Sequence, residues 1–349
     1  MEDGLHGKNY ARFEMEKEKI RIGIIGCSRI AESSVVPAIL SSKFSKLSIV
    51  GSRNINKSRK FSKKFECKEF GTYDDVIDNK NIDAVYISTP VGLHEEWAIK
   101  ALKAGKHVLC EKSSTVNYES AKKMVKTAKK NNARILEGFM FRFHPSHTKV
   151  TDLIQTGIIG KKFSFYGEYG FPDVPHSDIR YKKELGGGIL NDVGCYPICA
   201  SRIIFGESPK EVLCNLIIDK NSDVDVKASI SLRYSKNMIA NMVVGYGLGY
   251  QSKYRIWGEK GLIQLSRAYN IPSNMKPKIK LEFPDKKKEI MIKPANHFKL
   301  MIDGFCKEIK ESNSFFNFEE DLLIQAKIME ACRESHYKQK IVKIENFNI

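Results

Sequence analysis

The sequence predicts an α/β protein with an N-terminal doubly wound parallel sheet and a C-terminal α+β domain with a large, mostly antiparallel sheet. In the first part, short apolar runs alternate with amphipathic helical segments, which is the pattern of strand–helix–strand units. In the second part, long strand-like runs follow one another without helices between them, as is typical of antiparallel sheets. A chain of 349 residues is long enough for two such domains.

Four apolar runs in the first part have the length and the glycine or proline boundaries of buried parallel strands. They are IRIGIIG (20–26), LSIVGSR (47–53), IDAVYISTP (82–90) and HVLCEK (107–112). Predicted helices follow them at 27–42, 56–65, 94–105 and 117–132. EGFMF (137–141) is predicted to be a further strand with Arg142 at its carboxyl end. Because ligands bind beyond the carboxyl ends of parallel strands, the polar residues there are predicted to form one binding rim.

The rim carries an approximate dinucleotide fingerprint. Gly26-x-Ser28-x-x-Ala31 follows the first strand and opens a helix, and it differs from G-x-G-x-x-G/A by a serine at the second glycine. Amides at such a helix N-terminus hold a pyrophosphate. The predicted cofactor-binding residues are Gly26, Cys27, Ser28, Arg29, Ile30, Ser52, Arg53, Ser88, Thr89, Pro90, His94, Glu111 and Lys112.

The end of the second strand indicates which dinucleotide binds. NAD sites usually place an acidic residue there for the ribose hydroxyls. This chain has Ser52 and Arg53 instead, with Lys57 one helical turn further on. These side chains suit a 2′-phosphate, so the predicted cofactor is NADP, and NAD stays possible.

Strands are predicted in the second part at 161–170, 211–219, 225–234 and 237–247, with a hairpin over 253–266. Helices are predicted just after Pro145 and at the end of the chain. Met238, Ala240, Met242 and Val244 alternate along one strand and share a face, and Ile230 and Leu232 add a stripe beside it. We expect a homodimer or homotetramer formed through that sheet.

Composition excludes several other classes of protein. The net charge is +17, but the lysines are scattered among acids without a basic aromatic helix, so nucleic acid is not the predicted partner. No apolar run is long enough to span a bilayer, and no membrane partner is expected. Residues 1–19 are charged throughout and are predicted to be a flexible extension rather than a signal peptide. Eight cysteines without a CxxC pair indicate reduced thiols in the cytoplasm, with no metal site.

Four stretches together resemble the Gfo/Idh/MocA, or glucose–fructose oxidoreductase, family. They are GIIGCSRIA (23–31), STPVGLHEEWAIKALKAGKHVLCEKS (88–113), EGFMFRFHP (137–145) and GGGILNDVGCYP (186–197). The D-x-G-x-Y pattern in the last of them resembles the branch with sugar dehydrogenases, nucleotide-sugar ketoreductases and dihydrodiol dehydrogenases. The resemblance implies a Rossmann domain over 20–141 and a substrate-binding and oligomerisation domain over 142–349.

The resemblance also implies the catalytic residues. Lys112 matches the lysine of the family's E-K-P motif, although Ser113 stands in place of the proline. Tyr196 matches the acid–base tyrosine and Asp192 the nearby aspartate, and their spacing of four places both on one helix face. The Lys112 ammonium is expected to lower the pKa of Tyr196 from its usual value of about 10.

Two further residues are implied to lie at the crossing between the domains. Arg142 and His144, from the family's R-x-H-P motif, are expected to bind substrate together with Asp192 and Tyr196. A structural role for His144, or for His94, is an open alternative.

The predicted function is NAD(P)-dependent hydride transfer between nicotinamide and a hydroxyl or keto carbon of a sugar. Free aldoses and nucleotide-linked keto-sugars fit the residues equally well. One alternative is an NAD-dependent glycoside hydrolase, which places histidine rather than tyrosine at position 196. Another is a non-enzymatic sensor of nucleotides or sugars with the same fold.

Overall fold

The computed structural model describes residues 19–310 and 317–344. The extension predicted at residues 1–19 lies, apart from residue 19, outside the described residues. Within the described ranges the strands form two sheets, one of six strands and one of nine.

The first sheet is parallel throughout. Its order, β3-β2-β1-β4-β5-β6, is that of a doubly wound dinucleotide-binding sheet. The strands are β1 (Ile20–Ile25), β2 (Ser45–Gly51), β3 (Glu69–Gly71), β4 (Ala84–Ile87), β5 (His107–Cys110) and β6 (Ile135–Glu137). The helices on its faces are α1 (Val36–Ser41), α2 (Ile55–Lys64), α3 (Tyr73–Asp78), α4 (His94–Lys103) and α5 (Tyr118–Lys130). The predicted parallel sheet is confirmed.

The chain crosses to the second sheet by a 3-10 turn, Met140–Phe143, and helix α6 (Pro145–Gln155). The strand predicted over 137–141 is therefore wrong beyond residue 137. Met140 and Phe141 are buried, and a run that is apolar on all sides carries no periodicity that separates a strand from a tight turn.

The second sheet has the order β14-β13-β12-β11-β7-β10-β9-β8-β15. Its pairs are antiparallel except β7 with β10, so the mostly antiparallel prediction is confirmed. The strands are β7 (Lys162–Phe171), β8 (Glu211–Ile218), β9 (Asp225–Arg233), β10 (Ile239–Tyr246), β11 (Gln251–Gly258), β12 (Leu262–Ser266), β13 (Lys278–Glu282), β14 (Lys287–Met291) and β15 (Val342–Lys343).

Helices cover one face of this sheet and return to the first domain. Helix α7 (Cys195–Phe205) packs on the sheet, and α9 (Phe318–Lys338) touches β8, β6 and α5. Helix α8 (His297–Lys310) packs on α1 and on the crossing turn. The closing helices therefore join both sheets, and the division at 141/142 stays a prediction.

The apolar stripe on β10 faces these helices. Ala240, Met242 and Val244 are at most 1% exposed, as are Ile230 and Leu232. This stripe lines the protein's own core, so a contact between subunits would have to use the other face of the sheet, and an oligomer formed through this sheet stays a prediction. Alternation shows that two faces differ, but it does not show which one the helices cover.

Candidate active site

The carboxyl edge of the parallel sheet and the start of α7 enclose a cavity of about 680 Å³. Many of the predicted cofactor residues line it: Ser28, Arg29, Ile30, Ser88, Thr89, Pro90, His94, Glu111 and Lys112. The second domain contributes Tyr169, Arg180, Asn191, Asp192, Tyr196 and Tyr250. The cavity thus brings residues from both domains together.

Gly26 makes the turn of the dinucleotide loop. Its φ of 105° lies in the left-handed region, and a Cβ there would meet Ser88 atoms at 3.0–3.1 Å. The Ser88 hydroxyl donates to the Gly26 carbonyl at 2.7 Å, which ties β1 to β4. Ser28, in the second glycine position, accepts from the Ala31 amide at 3.1 Å and so caps the following helix. The serine is therefore accommodated in the loop.

The side chains at the end of β2 stand apart from the cavity lining. Ser52 is buried, and its hydroxyl accepts from the Asn54 amide at 3.3 Å. Arg53 is exposed. Burial raises the pKa of the nearby Tyr73 hydroxyl, and the positive charge of Arg53 opposes this shift. The Cys27 thiol donates to the Gly51 carbonyl and joins the dinucleotide loop to this strand.

Lys112 extends from the loop after β5 toward the second domain. Its ammonium donates to the main-chain oxygen of Asp192 and lies 3.3 Å from Oδ1 of the same residue. The peptide bond between Lys112 and Ser113 is cis, and the Ser113 hydroxyl donates to the Asn191 carbonyl at 3.1 Å. Burial lowers the pKa of Lys112, but the Asp192 carboxylate outweighs it, so the pKa lies above the usual value.

Asp192 lies in a π-helical turn, Leu190–Gly194, that leads into α7. Its Oδ2 accepts from Arg180 Nε at 2.6 Å and from the Tyr246 hydroxyl at 3.5 Å. Burial raises the pKa of this carboxyl, but Lys112 and Arg180 prevail and hold it below its usual value. Asp192 is therefore ionised between two cations.

Tyr196 lies in the first turn of α7 inside a nest of aromatic rings. The rings of Phe139, Tyr169 and Tyr269 have centroids 5.4–5.7 Å from its own. Its hydroxyl donates to the Met140 sulfur at 3.7 Å. Burial raises the pKa of Tyr196 well above its usual value, so the expected lowering by Lys112 is wrong for this arrangement. The phenol is held protonated.

His94 begins α4 and is 1% exposed. Its Nε2 lies 2.8 Å from the Thr89 carbonyl and its Nδ1 lies 3.0 Å from the Ser113 carbonyl. Burial lowers its pKa to about 4, although two carbonyl acceptors favour the charged ring. This histidine joins the β4 rim to the loop that carries Lys112.

Glu111 lies beside Lys112 at the edge of the cavity. It accepts from the Tyr86 hydroxyl at 2.7 Å, and burial raises its pKa.

Arg142 and His144, which were predicted to bind substrate, lie outside the cavity lining. The Arg142 guanidinium pairs with Asp321 of α9, which also pairs with Arg202 at 2.6 Å. His144 caps α6 by accepting from the Ser146 amide at 3.1 Å. Burial lowers the pKa of His144 to about 4. Both residues hold elements together here, and a role in substrate binding stays a prediction.

Arg180 lines the cavity and Tyr246 donates to Asp192, and the sequence pattern indicated neither of them. Arg180 lies in the irregular segment between β7 and α7, where no periodicity marks which side chain turns inward. Tyr246 ends β10 and looks like an ordinary core tyrosine in sequence. Asp178, an acidic residue two positions before Arg180, is the sequence feature that could have indicated an ion pair there.

Across residues 19–310 and 317–344, no three His, Cys, Asp or Glu side chains come together as a metal site would require. In the same ranges, no helix is both long and apolar enough to cross a membrane. All eight cysteines are free and buried.

Comparison with known proteins defines the class. Residues 20–139 match the family model of the oxidoreductase family with an NAD-binding Rossmann fold, and residues 147–264 match the GFO/IDH/MocA C-terminal domain. The chain belongs to the GFO/IDH/MocA oxidoreductase family. The predicted NAD(P)-dependent oxidoreductase acting on a sugar carbon is confirmed.

Particular relatives refine this assignment. A dTDP-3,4-didehydro-2,6-dideoxy-α-D-glucose 3-reductase of Actinomadura kijaniata is 30% identical over 314 residues, which cover 90% of this chain and 95% of the relative. The enzyme with the same description from Saccharopolyspora spinosa is 32% identical over 301 residues, covering 84% and 89%. A crystal structure of a 3-ketoreductase from A. kijaniata with NADP and TDP-benzene superposes with a TM-score of 0.88 at 30% identity, covering 91% and 98%.

Proposed function

We propose that this protein reduces a keto group of a nucleotide-linked sugar with NADPH. The observation that carries this proposal is the meeting of Lys112, Asp192 and Tyr196 in one cavity with the dinucleotide rim. The relatives described as 3-reductases of a dTDP-linked keto-sugar support the substrate class. The relative described as an NADP-dependent D-xylose 1-dehydrogenase, 26% identical, represents the free-aldose alternative.

The rim residues suit a dinucleotide. Gly26 leaves the space that a Cβ would fill, and the Thr89 hydroxyl is buried without a partner among the described residues. We assign the pyrophosphate to the segment from Gly26 to Ile30, and a 2′-phosphate to Ser52 and Arg53. When bound, the nicotinamide supplies the hydride. The nicotinamide half of the cofactor would be held by Ser88, Thr89, Pro90, His94 and Glu111.

Tyr196 can serve as the proton donor that reduction of a carbonyl requires. A phenol whose pKa is well above the usual value is protonated at neutral pH, so it can give its proton to the carbonyl oxygen as hydride reaches the carbon. The Lys112 ammonium supplies positive charge to the developing alkoxide. Asp192 orients Lys112 through the contact of 3.3 Å.

The mouth of the cavity suits a large anionic substrate. Tyr250 lines the cavity and is 39% exposed. The Arg267 guanidinium lies 4.3 Å from the centre of that ring. An aromatic ring with a cation beside it can stack a base and attract a diphosphate. This pair therefore favours a nucleotide-linked sugar over a free aldose.

We further propose that the protein is a homo-oligomer that acts in the cytoplasm. On the sheet face opposite the helices, Leu213, Val243 and Trp257 are 49–55% exposed. A groove of about 420 Å³ runs along this face beside Tyr166.

Buried, unpaired thiols are typical of a reducing compartment. Cell fractionation tests the location.

The enzymatic test follows NADPH absorbance with a dTDP-linked 3-keto-sugar, with the matching free keto-sugar, and with free aldoses plus NADP. We expect turnover with the first substrate and kcat/KM at least about a hundredfold lower without the nucleotide. Efficient aldose oxidation without keto-sugar reduction would contradict the proposal. Release of monosaccharide with no net change in nicotinamide absorbance would indicate the hydrolase alternative.

A further inference from the structure

The two oxygens of the Asp192 carboxylate contact two different cations, which come from different parts of the chain. Arg180 Nε donates to Oδ2 at 2.6 Å, and Lys112 Nζ lies 3.3 Å from Oδ1. The Asp192 side chain is 16% exposed. Each oxygen therefore has its own cation, and the longer contact is the one to Lys112.

This arrangement matters because the Lys112 ammonium has three N–H donors. One Lys112 donor goes to the main-chain oxygen of Asp192 and a second faces Oδ1. Without Arg180, Oδ2 would keep only the weak 3.5 Å contact from the Tyr246 hydroxyl, and the buried carboxylate would turn toward the nearest remaining cation. That cation is Lys112, and both carboxylate oxygens would then compete with substrate for its donors.

We propose that Arg180 is a positioning residue that keeps Asp192 from closing on Lys112, so that one Lys112 donor stays available to the substrate oxygen. This inference rests on the proposed function. It assigns Arg180 no contact with the reacting atoms, because its action passes through Asp192.

The segment around Arg180 is built to hold the guanidinium in place. Arg180 Nη1 donates to Asp178 Oδ1 at 3.0 Å, and the same oxygen accepts from the Arg180 amide at 3.0 Å. The guanidinium lies 5.7 Å from the centre of the Phe171 ring. The Gly188 amide donates to the Arg180 carbonyl at 2.9 Å, and a Cβ on Gly187 would approach that carbonyl to 2.5 Å. The backbone on both sides of Arg180 is thus fixed.

The kinetic test compares Arg180→Gln and Arg180→Lys with wild type. We expect Arg180→Gln to lower kcat by about 10- to 100-fold, with KM and the NADPH dissociation constant within about twofold. Arg180→Lys keeps the charge and should recover part of the loss. The matched control is Arg233→Gln, which removes an arginine–carboxylate pair on the sheet surface and should leave kcat unchanged.

A double mutant tests whether the effect passes through Asp192. In an Asp192→Asn background, adding Arg180→Gln should lower kcat by less than about twofold, since residues that act as one unit are not additive. Fully multiplicative losses would overturn the inference. A rise in KM at constant kcat would also overturn it, because it would indicate direct contact of Arg180 with substrate.

A readout without substrate separates this inference from the proposed function. NMR of isotopically methylated lysines, with the Lys112 signal assigned by its loss in Lys112→Arg, reports the pKa of this ammonium. We expect Arg180→Gln to raise that pKa, because Asp192 would then pair with Lys112 alone. An unchanged pKa overturns the inference even if the enzyme is active. A raised pKa in a protein that reduces no keto-sugar supports the arrangement and counts against the proposed function alone.

Discussion

The Lys112 ammonium lies 5.1 Å from the centre of the Tyr196 ring, over its face. The Tyr196 hydroxyl meanwhile donates to the Met140 sulfur at 3.7 Å. A thioether is a weak acceptor, so the phenol is close to the lysine and loosely held. A carbonyl oxygen entering the cavity can take the place of this sulfur as the acceptor.

Tyr196→Phe should therefore separate catalysis from binding. The change keeps the ring in its aromatic nest and loses only a weak hydrogen bond, so folding and NADPH affinity should survive. We expect turnover to fall by about 10²–10⁴-fold, as for loss of a general acid. Steady-state kinetics with the keto-sugar and fluorescence titration of NADPH measure the two effects.

Lys112→Ala should be comparably damaging, and the double mutant should be little slower than the slower single one. Near-full activity in Tyr196→Phe together with no activity in Lys112→Ala would remove the tyrosine from the mechanism. His144, buried at the start of α6 and away from the cavity lining, would be a poor replacement as the proton donor.

NADPH should bind more tightly than NADH. Ser52 and Arg53 stand at the end of β2 where a carboxylate would repel a 2′-phosphate, and charge-assisted hydrogen bonds of this kind contribute about 1.5–3 kcal/mol. Arg53→Ala should lower the preference at least about fivefold while leaving NADH affinity unchanged. Calorimetric titration of both cofactors measures it, with Arg233→Ala as the control. Equal dissociation constants in the wild type would refute the assignment.

Much of the fold and of the site follows from local pattern. The runs that end at Gly26 and Pro90 are strands, and their ends meet at the cavity, because parallel strands place their carboxyl ends on one edge. Arg180 could not be found this way, since it lies in an irregular segment whose contact with Asp192 no local periodicity predicts. The face of the second sheet that the helices cover could not be predicted either, because the alternation at Ala240 and Met242 is the same whichever face is covered.

The exposed face of the second sheet should hold subunits together. Val243 is 55% exposed and lies opposite Glu168 in the β7–β10 pairing. Val243→Glu would place two like charges side by side in an apolar contact, so we expect it to weaken association at least about tenfold. Light scattering at micromolar concentration should give a dimer or tetramer for the wild type and a smaller species for the variant.

The matched control is Tyr337→Glu, which changes an exposed aromatic residue on α9 instead of on the sheet. It should leave the mass unchanged. A monomeric wild type, or equal effects of the two variants, would rule out this face as the interface.

Stability should fall on mild acidification because of buried neutral histidines. Burial lowers the pKa of His144 to about 4, against about 6.5 when unfolded. A base with a depressed pKa leaves the unfolded state holding more protons, so its contribution is complete above pH ~6.5 and is lost as pH falls toward 4.

His144→Asn keeps an acceptor for the Ser146 amide, since asparagine is a good N-cap. We expect it to make the loss of unfolding free energy between pH 7 and 5 shallower, by at most about 1.4 kcal/mol per pH unit. Urea unfolding across that range measures the slope, and Asn117→Ser, a cap change without a titrating group at the start of α5, is the control. A slope identical in wild type and His144→Asn would mean that folding does not lower the pKa of this histidine.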